Sequence, residues 1–529
     1  MVLDACEINI NACLIFMGIL MKINFSDTAA KIFYSCFPII FAISYLQRPL
    51  YTSNQNTYFL HGLAKTGSGF LKSDWLANTV DPFPVFSELV YLTTITFGEN
   101  FFYVIYLFIL GVFAYSLLGI AALIFGIRKT ALQYWILFIC IVVLNSGLAA
   151  KLHEIFSPDG VLASGVAGQY ILGQVFQPST FGVFIVLSIY LFLLEKPFFS
   201  VICLAIAASF HSTYLLSAAL LTIAYVFILY TKKLNHKNIV YLGLLSFVLV
   251  LPVLIYNIIN FSPTSAEFTH QAQDILVNHR ISHHAKITSW FDKWTAFQIL
   301  LIAIAIYLVR KTDVFLILLI PFVAAFGLAL IQFATNNYGL ALIFPWRVSV
   351  FLVPLSTTII IASIILFAFK MFEQGILKNK FKLEMICVFL VLFVGFLGVR
   401  QTVTLINTPK AGVNALSRFI GDISKNNQVF LVPSDLDTIR LAARVSIFVD
   451  YKSHPYKDIE LLEWFDRINL NKSLYDPKNI DIACNAIENI SRKFNITHVV
   501  WKTNLAIKNC NPLKQIYEDQ NYIVYELSS

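Results

Sequence analysis

The 529-residue chain is 58% hydrophobic and only 13% charged, with a mean hydropathy of +0.73, which excludes an ordinary soluble globular protein. Its net charge of +8 is dispersed in short clusters between apolar runs, with no compact basic stripe interleaved with aromatics, so it reads as membrane topology and not as a nucleic-acid footprint. The eight cysteines show no CxxC spacing: Cys13, Cys36, Cys140, Cys203 and Cys387 fall in apolar segments as small hydrophobes, and Cys484 and Cys510 are a pair in the polar tail whose disulfide the spacing neither requires nor forbids.

Residues 1–31 are expected to form a cytoplasmic segment. Asp4 and Glu7 argue against a secretory signal, and the apolar piece over 12–20 is too short to span. Apolar runs then predict eleven spans, at about 32–47, 101–126, 132–148, 179–194, 198–211, 213–230, 239–259, 295–309, 313–333, 347–369 and 383–400. Basic clusters fall at Lys22 and Lys31, Arg128-Lys129, Lys196, Lys232-Lys233 with Lys237, Arg310-Lys311, and Lys370 to Lys382. Placing all of them on one side lets the spans alternate without conflict, provided 198–211 and 213–230 form a tight hairpin near His211. The fold class that follows is an all-α polytopic membrane domain over 32–400, with outer segments at 48–100, 149–178, 260–294 and 334–346. A small α/β domain over 401–529 lies on the same outer side. In that tail, strands are predicted over 429–433, 446–450, 497–501 and 522–526, with helices over 459–468 and 480–494.

The stretch 52–86, TSNQNTYFLHGLAKTGSGFLKSDWLANTVDPFPVF, is too polar and too broken by Gly and Pro to cross a bilayer. It reads either as a connecting loop or as a short surface helix that sets Asp74 and Asp81 where water meets lipid. The second outer segment supplies His153, Glu154 and Asp159. Acids from two outer loops can serve solubility, act as a general base, or hold a divalent cation such as magnesium or manganese; no other cofactor is called for. Gln169, Gln174 and Gln177 are candidates to line a polar cavity. Arg280, His283 and His284 form a basic rim suited to an anionic head group, with no CxxC or HExxH partner for a zinc site. Arg347, at a span boundary on the outer side, either snorkels or binds a phosphate, whose oxygens a guanidinium matches in a bidentate way. In the tail, Arg440, Lys452 and His454 gather around a predicted strand, as a binding edge or as a solvated one.

The segments SNQNTYFLHGLA, SDWLANTVDPFPVFS, GQYILGQVFQPSTFG, SFHSTYLL and FVDYKSHPY resemble the GT-C superfamily of membrane glycosyltransferases, and most closely its bacterial DUF6798-type branch. The resemblance runs over nearly the whole chain. It implies an enzyme of the bacterial inner membrane that transfers a sugar from a polyprenyl-phosphate carrier to an envelope glycan acceptor on the outer face. It also implies an aspartate base in the first outer loop. The acid usual before the aromatic pair falls at Asn54, Gln55 and Asn56, whose amides cannot take a proton at neutral pH and so read as substrate contacts. The expected base is therefore Asp74 or Asp81, assisted by Glu154 or Asp159, with Arg280 and Arg347 neutralising the departing phosphate. Two other readings stand beside it: a non-catalytic glycan- or lipid-binding component of envelope assembly, and a transporter of a polar solute. The long spans carry few ionisable residues at mid-depth, where a transporter would need them.

Overall fold

The computed structural model describes residues 36–128, 132–145, 160–233, 235–476, 480–505, 510 and 513–527. A helix needs about 20 residues to cross a hydrocarbon layer of roughly 30 Å. Among the described residues six apolar helices reach that length: Phe101–Phe125, Ser212–Thr231, His236–Asn260, Val314–Thr335, Tyr338–Met371 and Lys378–Asn407. Phe108, Ile258, Phe333, Phe367 and Phe396 stand on their outer faces, each more than half exposed. Apolar surface on that scale is stable against lipid and not against water, so this is the surface of a membrane protein.

Eleven membrane-length spans are not seen among the described residues. The candidates at 179–194, 198–211 and 295–309 become the helices Pro178–Leu193, Pro197–Phe210 and Lys293–Leu308, all too short to cross alone if upright, and the candidate at 132–148 is described over 132–145, which is helical throughout. The candidate at 32–47 is described only from residue 36 and holds the helix Phe37–Ser44. A further apolar helix, Pro84–Phe97, lies inside the expected outer segment 48–100. Pro84 and Pro197 open their helices at the first position, where the missing N–H has no helical partner to lose. The turn expected near His211 is present: the chain is extended there, between one helix ending at Phe210 and the next starting at Ser212.

The last long helix runs to Asn407, and the tail begins beyond it. Its sheet comprises β1 (Val429–Leu431), β2 (Ser446–Ile447), β3 (Ile496–Lys502), β4 (Leu513–Glu518) and β5 (Tyr522–Leu527), in the order β2-β1-β3-β5-β4. Pairs β1–β2 and β1–β3 are parallel, and β5 is antiparallel to both β3 and β4. The helix Asp458–Leu474 packs Trp464 and Ile468 against one face, into a core with Phe448, Val499 and Trp501. The helix Ala415–Ile423 covers the other face through Leu416 and Ile420. Cys484 and Cys510 are joined in a disulfide.

Two charge clusters dock this domain onto segment 48–100, the first of the expected outer segments. Arg440, fully buried, donates from Nε to Asp74 Oδ2 at 2.9 Å and from Nη1 to Asp450. Arg444 bonds Tyr51 and Glu99, and Lys410 bonds the same Glu99. Glu460 accepts the Val80 N–H, and Asp458 accepts from Thr264. Below these contacts Phe59 meets Phe86 and Phe102 edge-on at 5.5 and 4.9 Å, so the polar stretch 52–58 rests on an aromatic floor.

Candidate functional site

A cavity of about 790 Å³ opens where the ends of the apolar helices meet the tail domain. All four expected outer segments reach its wall or mouth, and the tail loop after β2 covers one side. The first contributes Asn54 and Tyr58, and the second contributes Gln169, Tyr170 and Gln177. The third brings Arg280, His283 and His284; Leu342 and Phe344 come from the fourth, with Arg347 just after it. Lys452, His454 and Tyr456 come from the tail loop.

The electrostatics of the wall are one-sided. Arg280, Arg347 and Lys452 line it, and none of them has a carboxylate within salt-bridge distance among the described residues. Arg347 donates from Nη2 to the Tyr214 hydroxyl at 3.3 Å, and its guanidinium lies 4.9 Å from the centre of that ring. Arg280 donates from Nη2 to the Lys452 carbonyl at 2.6 Å, while its Nε, like that of Arg347, is buried without a partner. Burial, followed by the nearby Arg280 charge, lowers the Lys452 pKa. His454 is pushed down to about 3 by burial and by Arg280, and burial and the neighbouring His283 take His284 down to about 4. The histidines are therefore neutral near pH 7, and the fixed cations set the field. The potential at such a wall is positive.

Backbone geometry supports the wall. Ala167 is left-handed, at φ 59° and ψ 35°, which costs a residue with a Cβ on the order of 1 kcal/mol. Ser349 Oγ accepts the Val166 N–H, and Gln298 Nε2 donates to the carbonyls of Val161 and Ser164, so side chains from two helices pin this loop. A Cβ on Gly165 would come within 2.6 Å of Ser349 Oγ and 2.7 Å of the Val350 nitrogen, and the close approach requires glycine. Phe344 is also left-handed, immediately before the turn that carries Arg347.

The expected site residues divide into three groups. Asn54, Arg280, His283, His284, Arg347, Lys452 and His454 come together in the cavity wall. Asn54 donates to Gln177 Oε1 at 3.0 Å. Asp81 stands next door, in a small recess that shares Thr57, Tyr58, Phe83 and His454 with the cavity; its Oδ1 accepts the Phe83 N–H. A second group is committed to structure. Asp74 is fully buried, with Oδ1 taken by the Leu76 and Ala77 N–H groups and Oδ2 by Arg440 and the Ile447 N–H. Arg440 is its partner, away from the cavity. Gln55 accepts the Tyr51 N–H and donates to the Phe176 carbonyl, and Asn56 is buried beneath the surface with Oδ1 unpartnered. Gln174 receives the Arg48 N–H on its backbone carbonyl and does not line the cavity. The third group, Glu154 and Asp159 with His153, lies outside the described residues.

Among the described residues no three His, Cys, Asp or Glu side chains stand together to hold a metal ion; Glu154 and Asp159, the acids expected to share one, lie outside them. Tyr170 and Tyr456 are wall residues that sequence reasoning passed over. Each sits inside a segment already singled out, GQYILGQ and SHPY, as the polar aromatic beside a polar contact.

No curated protein matches the chain. Residues 411–470 match the family model described as Domain of unknown function (DUF6798), and the stretch similar to that family is the one that clamps the outer segment through Arg440 and covers the cavity with Lys452 and His454.

Proposed function

We propose that the cavity holds the phosphate-bearing head of a polyprenyl-linked sugar and that the protein transfers that sugar to an envelope glycan hydroxyl. The observation that carries this reading is the set of three cations, Arg280, Arg347 and Lys452, each without a carboxylate at salt-bridge distance among the described residues, in a large cavity at the ends of membrane-length helices. Guanidinium and ammonium groups match phosphate oxygens, and helix ends are where a lipid-anchored head group arrives. In the transfer, the acceptor oxygen bonds to the anomeric carbon, the bond from that carbon to the phosphate oxygen breaks with its electron pair, and the phosphate gains charge beside the cations. The Cys484–Cys510 disulfide supports a tail on the outer, oxidising side of a bacterial inner membrane. The GT-C likeness of the sequence points the same way.

A non-catalytic binding component is the second reading. It draws on the amides at Asn54–Asn56 and on a wall without a carboxylate among the described residues. Envelope glycan analysis separates the two readings, using a deletion strain complemented with wild type or with Arg280→Gln/Arg347→Gln, beside binding of farnesyl phosphate to each purified protein. A transferase loses a glycan product on deletion, regains it with wild type only, and binds the probe at least about tenfold more weakly in the variant. Unchanged binding in the variant would sink the phosphate assignment.

A further inference from the structure

Every transfer of this kind needs a group to take the acceptor's proton, and the described carboxylates are poorly placed for it. Asp74 has both oxygens engaged in a buried clamp, and Asp81 opens into the side recess, its Oδ1 held by the Phe83 N–H. His284 is differently built. Its Nδ1 lies 2.7 Å from the Ala167 carbonyl, and a carbonyl can only accept, so the ring proton sits on Nδ1 and the lone pair on Nε2. That carbonyl is presented by the left-handed Ala167, held by Ser349 and Gln298 from beneath. A Cβ on Gly168 would stand 3.8 Å from the imidazole Cε1, in ordinary contact with the ring. His284 lines the cavity, and among the described residues its Nε2 is neither bonded nor enclosed as a buried unpartnered atom.

Resting on the phosphate-linked sugar reading above, we propose that His284 is the proton acceptor of the transfer. Its Nε2 takes the acceptor hydroxyl proton as that oxygen attacks the sugar carbon, while the phosphate oxygen leaves onto Arg280, Arg347 and Lys452. The sum is balanced: an O–C bond forms, a C–O bond to phosphate breaks, and the proton rests on imidazole. The charges around the ring give this base a condition. His283 on the same turn, Arg280 on the preceding π-helical turn, and Arg347 across the cavity all disfavour the imidazolium, as does burial, which is the largest cause. The Val166–Gly168 turn and the Ile287–Trp290 helix, also packed on it, bring no titratable group. A bound phosphate offsets the charges of Arg280 and Arg347, so the ring is more basic with the donor in place than without it.

The test uses full-length protein in nanodiscs of phosphatidylcholine, with farnesyl phosphate as the probe. Diethyl pyrocarbonate acylates neutral imidazole, and mass spectrometry of the His284 peptide across pH gives the midpoint of its protonation. Without probe the midpoint is expected at about 4. With probe bound it should rise by at least about one pH unit, the effect of an opposite charge within a few ångströms. His284→Gln should bind the probe within about threefold of wild type yet lower transfer about 100-fold or more, seen as failure to restore the envelope glycan. A midpoint that stays put with probe bound overturns the proposal, as does a His284→Gln protein that restores the glycan or no longer binds the probe. Wild type that fails to bind farnesyl phosphate, or a deletion that changes no glycan, overturns the transferase reading and the proposal with it. That outcome differs from a bound probe with an unmoved midpoint, which removes only the role of His284.

Discussion

Asp74→Asn separates a structural aspartate from a chemical one. The carboxylate has two oxygens and four partners: Arg440 Nε at 2.9 Å and the Ile447 N–H at 3.0 Å on one, the Leu76 and Ala77 N–H groups at 2.9 and 3.4 Å on the other. Every partner is a donor. Asparagine keeps one accepting oxygen and turns an NH₂ toward the remaining donors, whichever way the amide lies. It also leaves the fully buried Arg440 with Asp450 as its single counter-charge. Breaking a buried pair from one side costs about 3–5 kcal/mol. For a tail domain of this size that is a fall of about 10–20 °C in its unfolding transition. The assay is a thermal scan of the purified full chain, with limited proteolysis to report release of the tail. Asp435→Asn is the comparison, because its pair with Lys502 is exposed and should be worth no more than about 1 kcal/mol. An Asp74→Asn protein that melts at the wild-type temperature, keeps its tail docked and yet loses transfer would refute the structural assignment and restore Asp74 as a base.

Further outcomes follow from the same contacts. Burial opposes ionisation of Glu99, but Arg444 and the Lys410 and Tyr51 hydrogen bonds outweigh it and hold the carboxyl below its ordinary 4.5. A depressed folded pKa stabilises above the unfolded value and is lost as pH falls through the folded one. Tail stability of wild type should thus exceed that of Glu99→Gln at about pH 6, and the gap should close on acidification below the ordinary carboxylate range. Gly165→Ala should push the 165–169 turn off Ser349 and weaken probe binding, read by titration with farnesyl phosphate, with the backbone nitrogen of Val350 leaving no room for relaxation. Cutting the Cys484–Cys510 bridge, which spans 26 residues, should cost the tail about 3–4 kcal/mol in the chain-entropy account, read as a lower melting temperature in reductant.

The membrane class and the segments that meet at the cavity were legible because both are written in local composition. Apolar runs mark helices, and the segments left between them converge on one cavity. Helix length was less legible. Runs such as 198–211 and 295–309 have the apolar content of a span, yet Pro197–Phe210 and Lys293–Leu308 are shorter than membrane length. Strand β4 escaped because LKQIYE is half exposed and its alternation is broken by the irregular register between Gln515 and Tyr517. Asp74 and Arg440 could not be told from site residues by type. Both are charged groups in segments that read as possible sites, and what makes them structural is a contact across 366 positions that no local pattern records. Arg280, Arg347 and Lys452 carry the same charge, and what sets them apart is that, among the described residues, none has a carboxylate within salt-bridge distance.

The clamp and the cavity are one mechanical unit, and this has a consequence for binding. Asp450, the second partner of Arg440, accepts the Ser453 N–H at 2.6 Å, and its carbonyl accepts from Trp464 Nε1 at 3.1 Å. It therefore fixes the start of the loop that carries Lys452 and His454 into the wall. Thr57 Oγ1 donates to Ser453 Oγ, and Arg280 holds the Lys452 carbonyl, tying the same loop to the first and third outer segments. Loosening Arg440 should accordingly lower affinity for the phosphate probe although Arg440 touches no part of the cavity. Arg440→Met is expected to weaken farnesyl phosphate binding by an amount that Lys452→Gln does not add to, since both remove the same cation from the wall. Full additivity of the two substitutions in a double-mutant cycle would show the clamp and the cavity to be independent.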